Sequence, residues 1–213
     1  LNFDKTFGRH RINSVVGISN QRITREILIG QKSNLPLIEG TNYFTNLNQG
    51  DAPAVNGRTD QYAILGYLGR LNYTFADKYL VSLTFRRDGD SRFGRDYRWG
   101  NFPAASVAWR ISQEPFFKST WLSDLKVRAS YGELGNSEFL SPWQYNYRIN
   151  PFPRAVFGND EEQLGATNTQ LANPDLRWET KKTTNFGLDA AFFNSQLSLS
   201  AEYFIAKTED VLT

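Results

Sequence analysis

The stretch Gln61–Ser112, QYAILGYLGRLNYTFADKYLVSLTFRRDGDSRFGRDYRWGNFPAASVAWRIS, decides the fold. From Ala63 to Phe75 every second residue is apolar or glycine: Ala63, Leu65, Tyr67, Gly69, Leu71, Tyr73 and Phe75. The alternate set becomes polar toward its end, with Arg70, Asn72 and Thr74. After Ala76-Asp77-Lys78 the pattern resumes, with Tyr79, Val81, Leu83 and Phe85 on one face and Leu80, Ser82, Thr84 and Arg86 on the other. A period of two residues means a strand with two unlike faces. A soluble antiparallel sheet predicts the same alternation, but its strands run only about 5 to 6 residues. Tyr79 to Asp90 is 12 residues long. At about 3.3 Å per residue and a tilt near 45°, such a run covers about 28 Å of height, enough to cross the apolar band of a bilayer.

Composition narrows the classes. The 213 residues include neither methionine nor cysteine. Lack of cysteine removes disulfides, thiolate metal sites and cysteine nucleophiles. Lack of methionine, with an opening directly on the strand-like LNFDKTF, points to a processed or excised piece. No run of 18 or more apolar residues is present, which excludes a helical span and leaves a barrel open. The net charge of +2 arises from 24 basic and 22 acidic residues scattered along the chain, so no nucleic-acid partner is expected. Aromatics make up 15% of the chain, which fits the interfacial girdles of a barrel and equally an aromatic-rich carbohydrate-binding sheet.

The same reading gives eight candidate strands: 2–7, 12–21, 61–74, 79–90, 102–112, 125–133, 179–192 and 196–207. Their connections alternate. Gly8–Arg11, Ala76–Lys78 and Asn194-Ser195 are tight turns and Gln113–Asp124 is somewhat longer, whereas Arg22–Asp60, Ser91–Gly100 and Leu134–Trp178 are the long loops. Outer-membrane barrels have short periplasmic turns and long outer loops, so the chain acquires an orientation. Tyr73, Phe75, Tyr79, Phe116, Phe117, Trp121, Phe192 and Phe193 flank the short turns as an inner girdle. The fold class expected is all-β: an antiparallel up-and-down transmembrane β-barrel segment. Arg70, Arg86, Arg110, Lys126, Arg128, Lys181, Asp189 and Glu202 fall opposite the apolar sets and face the lumen. So many charges suit a lumen wider than eight strands enclose. In the first strand Lys5 shares a face with Leu1, Phe3 and Phe7, which leaves the register of residues 1–21 open.

Catalytic and cofactor chemistry finds little support. The single histidine, His10, falls in a predicted tight turn, read as solvated, and cannot build a triad or metal cluster. Asp88-Gly89-Asp90-Ser91 resembles the opening of a calcium loop but lacks the later acidic ligands. Asp160-Glu161-Glu162 reads as a solvated acidic patch. No cofactor, no metal and no enzymatic activity are expected. Tyr43, Phe44, Tyr97, Trp99, Trp143, Tyr145 and Tyr147, in or beside the outer loops, are candidate ligand-contact aromatics. Tying the loops together is the competing role for such rings. Gly66 and Gly69 read as strand glycines that mark a bend or close packing.

DGDSRFGRDYRWGNFPAASVAWRISQEPFF (88–117), LSDLKVRASYGELGN (122–136) and NPDLRWETKKTTNFGLD (173–189) together resemble the barrel of SusC/RagA-type TonB-linked outer membrane proteins of Bacteroidetes. The opening LNFDKTFGRHRINSVVG is similar to that family's mid-barrel hairpins. The resemblance implies a 22-stranded barrel in the bacterial outer membrane, of which residues 1–213 are a partial barrel domain of about eight strands without the plug, TonB box or final strand. It also implies partners: membrane lipid, a SusD-like lipoprotein lid, TonB acting through the plug, and a glycan or peptide nutrient. The implied function is TonB-driven uptake of oligosaccharides, peptides or similar nutrients. Two other readings stay open, a self-contained eight-stranded barrel with an adhesive or structural role and a soluble carbohydrate-binding β-sandwich.

Overall fold

The computed structural model describes residues 1–34, 51–138, 140, 144–146, 148–150, 154–157, 161–170 and 172–211. Eight long strands form one antiparallel sheet: β1 (Asn2–Phe7), β2 (His10–Ser33), β3 (Asp51–Phe75), β4 (Tyr79–Asp90), β5 (Trp99–Arg110), β6 (Leu122–Asn136), β11 (Glu179–Phe192) and β12 (Leu197–Glu209). Each pairs with its neighbour in chain order, the up-and-down arrangement expected. β1 and β12 stand at opposite edges and do not pair, so these strands do not close on themselves as a small self-contained barrel. Between β6 and β11 lie two small sheets, one pairing β7 (Arg148–Asn150) with β10 (Thr167–Gln170), the other β8 (Arg154–Phe157) with β9 (Glu161–Leu164).

The chain divides into two compact units, Leu1–Gln21 with Ala63–Thr213, and Arg22–Tyr62. The second corrects the sequence reading, which assigned 22–60 to a loop. Within it Arg22–Ser33 continues β2 and Asp51–Tyr62 belongs to β3, with Arg22 Nη2 donating to Gln61 Oε1 at 3.3 Å. Ile23, Ile27 and Val55 favour extended backbone. Polar residues on both faces abolish the alternation that reveals a strand, but they do not abolish the ladder.

In the first unit the register separates two faces. Cross-strand partners share a face, and Phe75↔Tyr79↔Trp109↔Val127↔Leu188↔Ala201 and Leu71↔Leu83↔Ala105↔Tyr131 trace an apolar one. Leu83, Phe85, Val107, Phe186, Leu199 and Tyr203 are each about half exposed or more, as a lipid-facing wall requires. Apart from Ala190, the buried hydrophobic residues gather at the long-loop end, where Phe93, Phe102, Leu140 and Trp178 form a small core joining the β4–β5 loop to the segments flanking β6 and β11.

The short turns are set by backbone conformation. Ala76 and Asp77 have φ of +54° and +57°, and Lys78 N–H donates to the Phe75 carbonyl at 3.0 Å. Two central residues with positive φ match the right-handed twist of the flanking strands. Neighbouring turns are joined by backbone bonds from Ala76 to the Arg9 carbonyl (2.7 Å), Arg110 to Lys78 (2.8 Å) and Phe193 to Trp121 (2.9 Å). A 3-10 turn, Ile111–Gln113, ends β5.

Candidate functional site

Three groups of side chains stand out, and the strand period positions each of them. The first is the polar face. Asn72, Ser82, Ser106, Ser130 and Asn185 fall in one row across five strands, and Ser82 Oγ donates to Asn72 Oδ1 at 2.7 Å. Toward the short turns the row gives way to charge. Lys126 Nζ lies 2.9 Å from Asp189 Oδ2, Arg128 Nε lies 3.4 Å from the same oxygen, and Arg128 Nη1 lies 3.2 Å from Glu202 Oε1. Gly187 makes room for this network, because the Arg128 guanidinium occupies the space a Cβ would take. Arg110 pairs with Asp124 at 3.7 Å, Arg70 Nε donates to Thr84 Oγ1 at 3.2 Å, and Arg86 makes two 3.1 Å bonds to Asp88. Lys181 stands on the same face, in register with Leu134 and Thr208. By register Arg70, Arg86, Arg110, Lys126, Arg128, Lys181, Asp189 and Glu202 fall on one face of the sheet, and of the six cations Arg86, Arg110, Lys126 and Arg128 pair with carboxylates.

The second group fastens the long-loop end. Asp90 is fully buried and Arg92 is 5% exposed. Arg92 Nη2 and Nε reach Asp90 Oδ2 at 2.6 and 3.1 Å, Nη1 donates to the Leu140 carbonyl at 2.9 Å, and Nη2 donates to Ser137 Oγ at 3.0 Å. Ser137 Oγ in turn donates to Asp90 Oδ2 at 2.9 Å. Each charge therefore finds several partners, which burial demands. Both carboxylates of the calcium-like Asp88-Gly89-Asp90 segment are thus committed to guanidinium groups. Trp178 Nε1 donates to the Arg98 carbonyl at 3.2 Å while its ring packs against Phe93 (4.9 Å between centroids) and Phe102 (5.4 Å). The β5–β6 ladder stops at Ala104↔Gly132, and the Phe102 ring fills the gap where the strands part. A Cβ at Gly100 or Gly135 would overlap that ring.

The candidate ligand aromatics separate. Tyr97 bonds Asp175 at 3.3 Å and lies under the Arg177 guanidinium (4.9 Å), and Tyr145 sits beside Gly94. Trp99 is the first residue of β5 and belongs to the apolar face, in register with Gly89 and stacked with Tyr67 at 5.9 Å. Tyr43, Phe44, Trp143 and Tyr147 lie outside the described residues, as does Asp160, whereas Glu161 and Glu162 fall in β9.

The third group rings the short-turn edge. Centroid distances of 5.8 Å for Phe7–His10, 4.8 Å for His10–Phe75, 6.3 Å for Phe75–Tyr79 and 6.4 Å for Tyr79–Trp109 make a continuous aromatic chain, with Trp121–Phe192 (5.7 Å) farther along. His10 departs from the solvated turn residue expected. It is the first residue of β2, half-buried, with Nδ1 2.7 Å from the Tyr73 hydroxyl. Glu114 went unnoticed in the sequence, where it is one acid in a turn. It accepts from Lys78 Nζ at 2.8 Å, the Tyr79 hydroxyl at 2.7 Å and Trp109 Nε1 at 3.1 Å. Donation by Lys78, then by Tyr79 and Trp109, holds its carboxyl down to about 2. Lys78, the last residue of the β3–β4 turn, and Tyr79, the first of β4, reach across to that turn, a proximity that the β4–β5 pairing creates.

A long-stranded antiparallel sheet, apolar on one face, charged on the other and ringed by aromatics at its short-turn edge, is a wall segment of a transmembrane β-barrel. The sequence profile of the family described as TonB dependent receptor-like, beta-barrel, matches residues 1–213, and the chain belongs to that family of outer-membrane proteins. TonB-dependent receptor P3 of Formosa agariphila is 35% identical over 218 aligned residues, covering 100% of this chain and 21% of the relative. TonB-dependent receptor SusC of Bacteroides thetaiotaomicron is 35% identical over 157, covering 70% and 15%. The solved structure of the RagAB peptide transporter superimposes with a TM-score of 0.76 at 26% identity, covering 99% of this chain and 23% of the transporter chain. The chain therefore spans about a fifth of the length of the curated relatives it matches.

Proposed function

We propose that this chain is part of the wall and outer loops of a TonB-dependent importer that carries nutrients across the outer membrane. The observation that carries the reading is the two-faced register: an exposed apolar face for lipid, backed by a face whose charges pair across β6, β11 and β12. A lumen wide enough to hydrate such a network belongs to a large barrel, here eight strands of a 22-stranded wall whose plug and TonB box lie elsewhere in the receptor. The polar row lines the path, and the long loops, with Tyr97 and Tyr145, contact the ligand. Oligosaccharides or peptides are the cargo, in keeping with relatives named SusC and RagAB peptide transporter. A SusD-like lipoprotein covers the outer mouth, and TonB pulls on the plug from the periplasm.

Uptake of labelled oligosaccharide and peptide pools by parent cells, by a strain lacking the receptor and by a strain lacking TonB tests the reading. Both deletions should abolish accumulation of the same compounds. Unchanged uptake in the two strains would refute it.

A further inference from the structure

The apolar face carries a feature that a plain lipid wall does not need. Trp99 at the start of β5 lies flat against the strand surface: three of its ring carbons would stand 2.8 to 2.9 Å from a Cβ at Gly89, so only glycine admits the ring there. Tyr67 stacks on it from β3 (5.9 Å), and the Arg87 guanidinium from β4 sits 5.3 Å from its centroid. Trp99 and Tyr67 are 38% and 44% exposed. Arg87 forms no ion pair with a carboxylate among the described residues, unlike Arg86 and Lys126 on the opposite face. A rigid aromatic platform with an uncompensated guanidinium beside it matches a sugar ring bearing a phosphate.

The surface continues below this platform. The next register row toward the membrane centre is Gly69↔Phe85↔Pro103, and there the wall is hollowed into a groove of about 530 Å³ lined by Val16, Gly69, Leu71, Leu83, Phe85 and Tyr131 among others. Gly69 opens it, for a Cβ at that position would meet nothing within 4 Å. The platform lies at the long-loop end of the strands, which is the outer side of the membrane.

We propose that Arg87, Trp99 and Tyr67, with the groove at Gly69, bind one glycolipid of the outer leaflet, a phosphorylated sugar headgroup on the platform and its acyl chains in the groove. The guanidinium pairs with the phosphate, the Trp99 face carries the sugar ring, and the missing side chain at Gly69 admits the chains. This site is independent of the imported cargo, so it stands or falls separately from the uptake experiment.

Native mass spectrometry of the intact receptor in detergent, loaded with phosphorylated lipid A, dephosphorylated lipid A or phosphatidylglycerol, reads the site directly. Phosphorylated lipid A should be retained at about fivefold or greater occupancy over the other two. Arg87→Gln, Trp99→Leu and Gly69→Leu should each reduce that retention by about fivefold, while Arg9→Gln, at the opposite edge beside Phe75, leaves it unchanged. Heat-dependent gel migration verifies that each variant is folded, and Gly69→Leu projects into open space and preserves the wall. Equal retention of all three lipids, retention indifferent to Arg87→Gln and Gly69→Leu, or full displacement by soluble glucosamine 1-phosphate would overturn the proposal.

Discussion

Asp90→Ala tests how the long loops are held. In the native protein the carboxylate is completely buried and takes three bonds from the Arg92 side chain and one from Ser137. Removing it takes the Asp90 charge away from a guanidinium that is 5% exposed. Breaking a buried pair from one side costs about 3 to 5 kcal/mol. Arg92 keeps the Leu140 carbonyl and the Ser137 hydroxyl, which places the cost near the lower end. At about 1.4 kcal/mol per factor of ten, the open population of the loop end rises by roughly a hundredfold or more. Limited proteolysis of the intact receptor reads that population when opening is fast relative to cleavage. Cleavage between 137 and 178 should accelerate about a hundredfold, while heat-dependent migration of the barrel stays native, because the pair sits at the strand ends. Asp90→Leu combined with Arg92→Met removes both charges and should recover most of the protection. An increase below tenfold, or a double variant as labile as the single one, would refute the assignment of loop anchoring to this pair.

Three further outcomes follow from the same geometry. Because the Glu114 carboxyl is held near 2, below its ordinary 4.5, the clamp it forms with Lys78, Tyr79 and Trp109 is complete above pH 4.5 and is lost as pH falls from there through about 2. Tryptophan fluorescence of the detergent-solubilised receptor should report that transition, and Glu114→Gln should abolish it. Gly135→Ala forces the Phe102 ring from its gap and should cost about 1 to 3 kcal/mol, seen as a lower urea midpoint for unfolding, with Gly69→Ala as the neutral comparison. Ala76→Gly relieves a left-handed residue at φ +54° and should stabilise the β3–β4 turn by about 1 kcal/mol, measured by the same unfolding midpoint.

The sheet was legible because lipid and lumen enforce opposite chemistry on alternate residues, so Ala63–Phe75 and Tyr79–Phe85 disclose strand, register and face together. The eight charges of the polar face followed from that parity alone. Where polar residues occur on both faces the rule lapses, and the strand portions Arg22–Ser33 and Asp51–Asp60 read as loop. Partnerships across distant segments were equally hidden. Nothing near Asp90 in the chain announces Ser137 or Leu140, and nothing near Glu114 announces Lys78, because both meetings depend on strand pairing and loop packing. The face that Trp99 takes was hidden for a simpler reason. A bulky ring beside a loop has the same local sequence whether it caps a strand outward or reaches toward the mouth, and only its pairing with Gly89 distinguishes the two.

The turns at the short edge are stitched to one another by backbone bonds from Ala76 to Arg9, Arg110 to Lys78 and Phe193 to Trp121, and the side chains of Glu114 and the aromatic chain lie along the same seam. Such an edge behaves mechanically as a stitched seam: a load on one turn is shared along its neighbours instead of prying one hairpin from the next.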